Sequence, residues 1–587
     1  MADLLIRGAL LVDGTGAPAR RGDLAVTAGR ISAVGDRLDE TAAETIDAGG
    51  LALAPGIIDG HTHYDAQLTW DAFACPSPAL GVTTAVIGNC GFTIAPCRPQ
   101  DRERTMRNLT HVEGMALEAL EAGIRWEFES FPDYMAMLER RGLGLNVAAY
   151  FGHSSLRTWV LGPAASERAA TDDEIAQMAA LVREAMAAGA VGFASSTNEP
   201  HNGEGGVPMP SRLADRREFA ALLAAMRESG RGLYMLTRGA GTSVAALESL
   251  AAETGAPILV AAMFHNSRNP DAAIAQFRAM AEARARGRAL VPQTSCCPLE
   301  MEFTLESPYL FEGLQAWRPA MTARGRDALA AVYADPGFRR AVAAEIAATR
   351  NGLFNGEWDK VTLVAAATPA FTALDGRPLD RIAAEAGKDP LEAMLDIGLA
   401  EGLRTTFTAQ LLNTDEAGVA QLLRAPEAHI ALSDAGAHLT FLCDAGFGLH
   451  LLGHWSRDRG VLTLEEAVHR LTGQPAAIFG MRDRGLLRPG LAADLMLFDP
   501  ATVGRGPRYR VQDLPAGASR LTTDARGVYG VWVNGQRIVD ERGLLEDAPR
   551  AGRLLREFGD PAGYVRENNV LTIPTASSTC PMTSITT

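Results

Sequence analysis

The sequence predicts an α/β chain: a (β/α)8 TIM-type barrel joined to a small β-sandwich domain built from both termini. Three observations carry this prediction. Eight short apolar runs alternate with helical stretches through the middle of the chain. Strand-like segments punctuated by turns recur at its two ends. Residues with metal-binding chemistry fall just after three of the eight runs.

Taken in order, residues 1–54 read as strands. The runs 3–12 and 23–34 are broken by Asp-Gly, Gly-Ala-Pro and Ala-Gly-Arg turns. The same texture returns at 493–498 and 527–540, where Asn534-Gly535 suits a tight hairpin. Segments 1–54 and 485–567 are therefore expected to form one small β domain around a barrel at 55–484. The eight barrel runs are 56–59, 84–88, 146–151, 191–195, 232–237, 258–264, 289–293 and 430–433. Between them lie amphipathic helices such as 171–188, which opens on a Thr171–Glu174 capping box. The spacer between runs seven and eight is too long for a simple crossover. Helical patterns at 325–333 and 337–350 predict a helical insertion at about 300–425, over the barrel mouth. Residues 568–587 carry no charge and many Ser and Thr, so a disordered tail is expected there.

Composition narrows the function. Lys and Arg number 55 against 70 Asp and Glu, a formal charge of −15, and 47% of residues are hydrophobic. A nucleic-acid or anionic-membrane partner would need a basic surface, so neither is expected. The stretch 72–97 is free of charge, but Pro76, Pro78, Gly81, Gly88, Gly91 and Pro96 break it, which argues against a membrane span. Seven scattered cysteines with no CxxC pair read as reduced thiols, and no signal peptide is evident at the N-terminus. A soluble cytoplasmic protein is expected; nothing in the sequence fixes its oligomeric state.

The strongest local signal is His61-Thr62-His63 after Pro-Gly-Ile-Ile-Asp-Gly. Histidines at i and i+2 on a strand point to one side, here into the barrel at its C-terminal end, where two imidazoles can grip a metal ion. The plainer reading is a buried hydrogen-bonded pair. Cys90, in Gly88-Asn89-Cys90-Gly91, closes the second run and could ligate or bridge metals; a small core residue is the alternative. Asp434, in Ser433-Asp434-Ala-Gly-Ala-His438, closes the eighth and could serve as ligand and proton shuttle, or merely as a helix N-cap.

With these residues in place, the sequence resembles the N-acyl-D-amino-acid deacylases (D-aminoacylases) of the amidohydrolase superfamily. The matching segments are 55–65 (PGIIDGHTHYD), 81–96 (GVTTAVIGNCGFTIAP), 152–162 (GHSSLRTWVLG), Ser433-Asp434 and 452–503, and the likeness runs from residue 1 to about 560. It implies a metal-dependent barrel that hydrolyses a linear amide of an N-acyl-D-amino acid or similar N-acyl compound, with one or two zinc ions (Zn2+) per chain. It makes His61, His63, Cys90 and Asp434 metal ligands and Asp434 also the general base. The family adds histidines at the ends of strands five and six. Here strand five ends Tyr234-Met-Leu-Thr-Arg238 without one, whereas strand six ends Phe264-His265-Asn266, which makes His265 a further ligand. Superfamily members that bridge two metals with a carbamylated lysine carry it after strand four; the only lysines here are Lys360 and Lys388, and strand four ends Phe193-Ala-Ser-Ser196.

A substrate α-carboxylate would need a cation. Arg212 and Arg238, on the active side of the barrel, are the candidates, with Arg268 behind them. His153, in a matching segment, is a candidate substrate contact or a structural residue, and His438, four residues after Asp434, a candidate to reach the substrate or to hold the loop. Two other readings stay open: a cyclic-amide hydrolase or deaminase with a single metal, and a non-catalytic barrel scaffold that has lost its metal site.

Overall fold

A computed structural model describes residues 1–349, 352–441 and 444–561. The tail expected at 568–587 lies outside the described residues. Eight parallel strands form the central sheet: Ile57–Asp59, Val82–Ile87, Asn146–Gly152, Gly192–Ser196, Leu233–Thr237, Ile258–Ala261, Leu290–Thr294 and His429–Ile430, each paired with its neighbour in chain order. The first and last meet through a parallel bridge between Thr62 and Ala435, which closes the ring at the C-terminal ends. Val, Ile, Leu, Ala and aromatic residues dominate these strands, and all eight are buried along their whole length, as both faces of a covered parallel sheet require. The helix Asp172–Ala187 starts where its capping box predicts, with Thr171 accepting from Glu174 N.

The terminal strands form a nine-stranded sheet. Leu495–Phe498 pairs antiparallel with Ala52–Pro55, so the two ends of the chain are joined in one ladder. Asn534 and Gly535 take left-handed φ of 47° and 79° and turn the hairpin between Val528–Val533 and Gln536–Asp540. A buried polar network fastens this sheet to the barrel. Asn146 on the third barrel strand donates to Asp494 at 3.0 Å, Asp494 accepts from Asn534 N at 2.7 Å and pairs with Arg484, and Asn534 donates back to Asn146 at 2.8 Å. Every member is satisfied, which is what lets so polar a cluster sit in an interior.

Two regions differ from expectation. The insertion contains the expected helices, Arg326–Ala334 and Pro336–Ala348 among them, but also an antiparallel sheet of Leu299–Phe303, Thr406–Leu412, Val361–Ala365 and Arg377–Pro378. Its residues alternate between buried and half-buried along Thr406–Leu412, the period-2 pattern of a sheet with one dry face. That sheet and the helices enclose a separate core around Phe311, Trp317, Tyr333 and Phe407. Segment 485–567 also does more than fill the terminal sheet. Its hairpin of Gly504–Val511 and Arg520–Arg526 reaches the insertion through Arg508–Glu300 and Arg510–Glu302, and Gly552 and Leu554 bridge to Leu143 and Val147 beside the third barrel strand. No helix among the described residues is long and apolar enough to cross a membrane.

Candidate active site

Strand one ends at Asp59, and Gly60 carries the chain into His61-Thr62-His63 at the barrel mouth. Both imidazoles are buried, as is Cys90, and their ligand atoms with the Cys90 Sγ lie within 4.8 Å of one another. Among the described residues this is the one group of three His, Cys, Asp or Glu side chains so gathered. Cys90 is held there by strain and by contacts. Its φ of 57° is left-handed, flanked by Gly88 and Gly91, and a Cβ on Gly91 would stand 2.4 Å from the Ala194 carbonyl. Asp434 is the most exposed of the four and faces the mouth, with Oδ1 3.2 Å from His61 Nε2 and 3.6 Å from His63 Nε2. Its own φ of 47° and that of Leu432, 71°, swing the chain off strand eight after Ile430 and turn the carboxylate inward.

The far side of each imidazole faces a polar side chain. His61 Nδ1 donates to Gln293 Oε1 at 2.7 Å, and His63 Nδ1 lies 3.2 Å from Glu113 Oε1. With the protons on Nδ1, both Nε2 lone pairs face a carboxylate and a thiol. Two imidazoles, a thiolate and a carboxylate are a donor set of zinc. The residues therefore fit a divalent metal.

Electrostatics follow from burial and these neighbours. Burial pushes His61 down to about 4, against the pull of Asp434, so it is neutral at pH 7. Burial alone would raise Asp434, but His61 and His63 more than offset it and hold the carboxyl below its usual range. Burial lifts Cys90, with a hydrogen bond to His63 opposing. Burial also pushes Glu113 up to about 8, while Glu113 lifts His63 above its ordinary value, so the pair retains a proton near neutrality. Asp59, beneath the histidines, is pushed up to about 7 by burial despite its bond to Ser433.

Not every expected residue joins the cluster. His265 does not. Strand six ends at Ala261, Ala262 turns with φ 62°, and the His265 ring packs against Gly418, where a Cβ would stand 2.1 Å from Nε2. The apolar run to Phe264 suggests a longer strand than the backbone makes. Thr237, at the end of strand five, instead approaches the cluster, its Oγ1 3.0 Å from Cys90 Sγ. His153 is also placed elsewhere. It is fully enclosed, with Nδ1 2.8 Å from Ser195 Oγ and Nε2 2.7 Å from Glu218 Oε1, and Arg157 pairs with the same carboxylate. Both ring nitrogens are occupied within this network.

His438 does reach the site, its Nε2 3.7 Å from Glu113 Oε2. Arg212 bonds the His201 carbonyl at 3.2 Å and the Asn202 side chain, and the His201 ring lies within the fields of His438, His63 and Asp434. Arg238 bonds the Thr242 carbonyl at 2.8 Å and Gln276 at 2.6 Å. Among the described residues neither guanidinium makes an ion pair within 4.0 Å, although Glu199 acts on both from farther away. Arg268 lies under the insertion beside Gly356. Of the residues the motifs missed, Gln293 closes strand seven and carries a strand-end signal, whereas Glu113 follows the helix Arg102–Val112 with no motif around it.

A family model described as the amidohydrolase family matches residues 44–539. The chain is similar to a D-aminoacylase of Alcaligenes xylosoxydans xylosoxydans, at 31% identity over 94% of this chain and 97% of that protein. An N-acyl-D-aspartate deacylase of the same organism is 30% identical over 94% of this chain and 95% of its own. In three dimensions the chain is similar to an N-acyl-D-glutamate deacylase from Bordetella bronchiseptica, solved with zinc and a phosphonate that mimics the tetrahedral intermediate. That likeness has a TM-score of 0.65 at 27% identity and covers 95% of this chain and 100% of the other.

Proposed function

Because the chain belongs to the amidohydrolase family, we propose that it is a zinc-dependent hydrolase that cleaves the linear amide of an N-acyl-D-amino acid. One observation carries the reading: His61, His63 and Cys90 converge at the barrel mouth with Asp434 against both imidazoles. These four residues would hold the metal, and His265 would not. When bound, zinc polarises the amide carbonyl and lowers the pKa of water to about 7. Asp434, ionised and facing the mouth, takes the proton of the attacking water and returns it to the leaving nitrogen. Arg212 and Arg238 are cations without a close carboxylate, which suits them to the α-carboxylate of the substrate. The carboxylate-bearing substrates in the names of the relatives support the same class.

The cyclic-amide reading has less support, since two relatives matched over 94% of the chain are a D-aminoacylase and an N-acyl-D-aspartate deacylase. A scaffold is opposed by four intact donors at one point. We assign the barrel to 55–484 and its insertion to about 300–425, with 1–54 and 485–567 as the domain that seats it. We also place the protein in the cytoplasm, free of nucleic acid; the five described cysteines are all free thiols. The test is a hydrolysis panel of N-acetyl-D- and N-acetyl-L-amino acids, hydantoins and aminopyrimidines. Turnover of N-acetyl-D-amino acids in preference to their L-isomers is expected, and turnover confined to the cyclic compounds would overturn the reading.

A further inference from the structure

One buried acid beside the donor cluster has no task in the chemistry above. Glu113 follows the last turn of the helix Arg102–Val112 and is 2% exposed. Its two oxygens face two histidines: Oε1 is 3.2 Å from His63 Nδ1 and Oε2 is 3.7 Å from His438 Nε2. Oε1 has no hydrogen bond of ordinary geometry to offset its burial.

The backbone around it is already fixed without the carboxylate. His438 N donates to the Glu113 carbonyl, and Thr440 Oγ1 donates to the Gly114 carbonyl at 3.2 Å. Gly114 has φ 55°, and a Cβ there would stand 2.5 Å from the Phe441 ring and 3.3 Å from His438 Cα, so the two segments are in close contact. One main-chain bond and one from the Thr440 hydroxyl, both to main-chain carbonyls, thus dock the loop that follows Asp434. A buried carboxylate adds a desolvation cost that an amide or apolar side chain would avoid. Its placement is explained by what it faces.

We propose that Glu113 is a positioning residue for the metal site. It holds the His63 ring through Nδ1, so that Nε2 stays turned toward Asp434 and Cys90. Through His438 it ties the loop bearing Asp434 to the same point. A carboxylate on the outer nitrogen of a ligand histidine fixes ring orientation and strengthens the ligand, and loss of such a partner costs about 10–100-fold in metal affinity. This inference rests on the metal reading of His61, His63, Cys90 and Asp434.

The experiment is a competition titration of the metal-free full-length chain with Zn2+ against a chromophoric chelator, run on wild type, Glu113→Gln and Glu113→Asp, with the thermal midpoint of each metal-free protein. Glu113→Gln is expected to bind zinc about 10–100-fold more weakly with a metal-free midpoint no lower than wild type, and Glu113→Asp to fall between the two in affinity. Wild-type zinc affinity in a folded Glu113→Gln would overturn the proposal while leaving the metal reading intact. If Glu113→Gln fails to fold, the Asp variant decides: weakened binding supports the proposal and wild-type binding overturns it. A wild-type chain that binds no zinc would overturn the metal reading itself, and this inference with it.

Discussion

Two arcs of the same barrel mouth carry histidines and treat them differently. At strands one, two and eight, His61, His63, Cys90 and Asp434 turn inward and converge. At strands three and six, His153 and His265 are as deeply buried but turn outward, one into the Glu218–Arg157 network and the other against Gly418. The histidines of both arcs are equally buried. What differs is the backbone at the strand end. Past a bend at His61 the Thr62–Ala435 bridge keeps His61 and His63 at the barrel mouth, and left-handed turns at Cys90 and Asp434 aim their side chains at the axis, whereas a left-handed turn at Ala262 lets His265 leave and His153 opens the helix His153–Leu161. A histidine near a strand end therefore faces the axis only if the backbone beyond the strand turns it inward.

The largest effect that bears on this contrast is expected at Asp434. Asn tolerates left-handed φ, so Asp434→Asn should keep the backbone and the fold while removing the base. A fall in kcat of about 10²–10⁴-fold is expected, with circular dichroism and thermal midpoint near those of wild type. Activity within a few fold of wild type would erase the inward arc as a catalytic site. The outward arc makes the opposite prediction. Glu218→Gln leaves Arg157 buried beside a neutral amide, and a loss of about 3–5 kcal/mol of stability is expected by denaturant unfolding, with KM unchanged. A raised KM with unchanged stability would put His153 back in contact with substrate.

Much of this was legible in the sequence because it is local. Each of the eight apolar runs overlaps a barrel strand, and His61-Thr62-His63 lies just beyond the first. The His265 expectation failed for a physical reason: the apolar run Ile-Leu-Val-Ala-Ala-Met-Phe continues past the strand, and hydrophobicity does not record that Ala262 turns left-handed. The insertion sheet left a readable trace, the alternation in Thr406–Leu412, which the stronger helical patterns around it outweighed. Glu113 left none, since a single Glu after a helix is indistinguishable from many others until the fold brings it 3.2 Å from His63 across 50 residues of chain.

The most direct test of the central claim is elemental analysis of zinc per chain in wild type, His61→Ala and His265→Ala, each reconstituted with the metal and desalted. The inward arc predicts about one zinc per chain in wild type, its loss in His61→Ala and no change in His265→Ala. Zinc retained by His61→Ala but lost from His265→Ala would contradict the account, because the metal would then belong to the arc that the structure turns away from the axis.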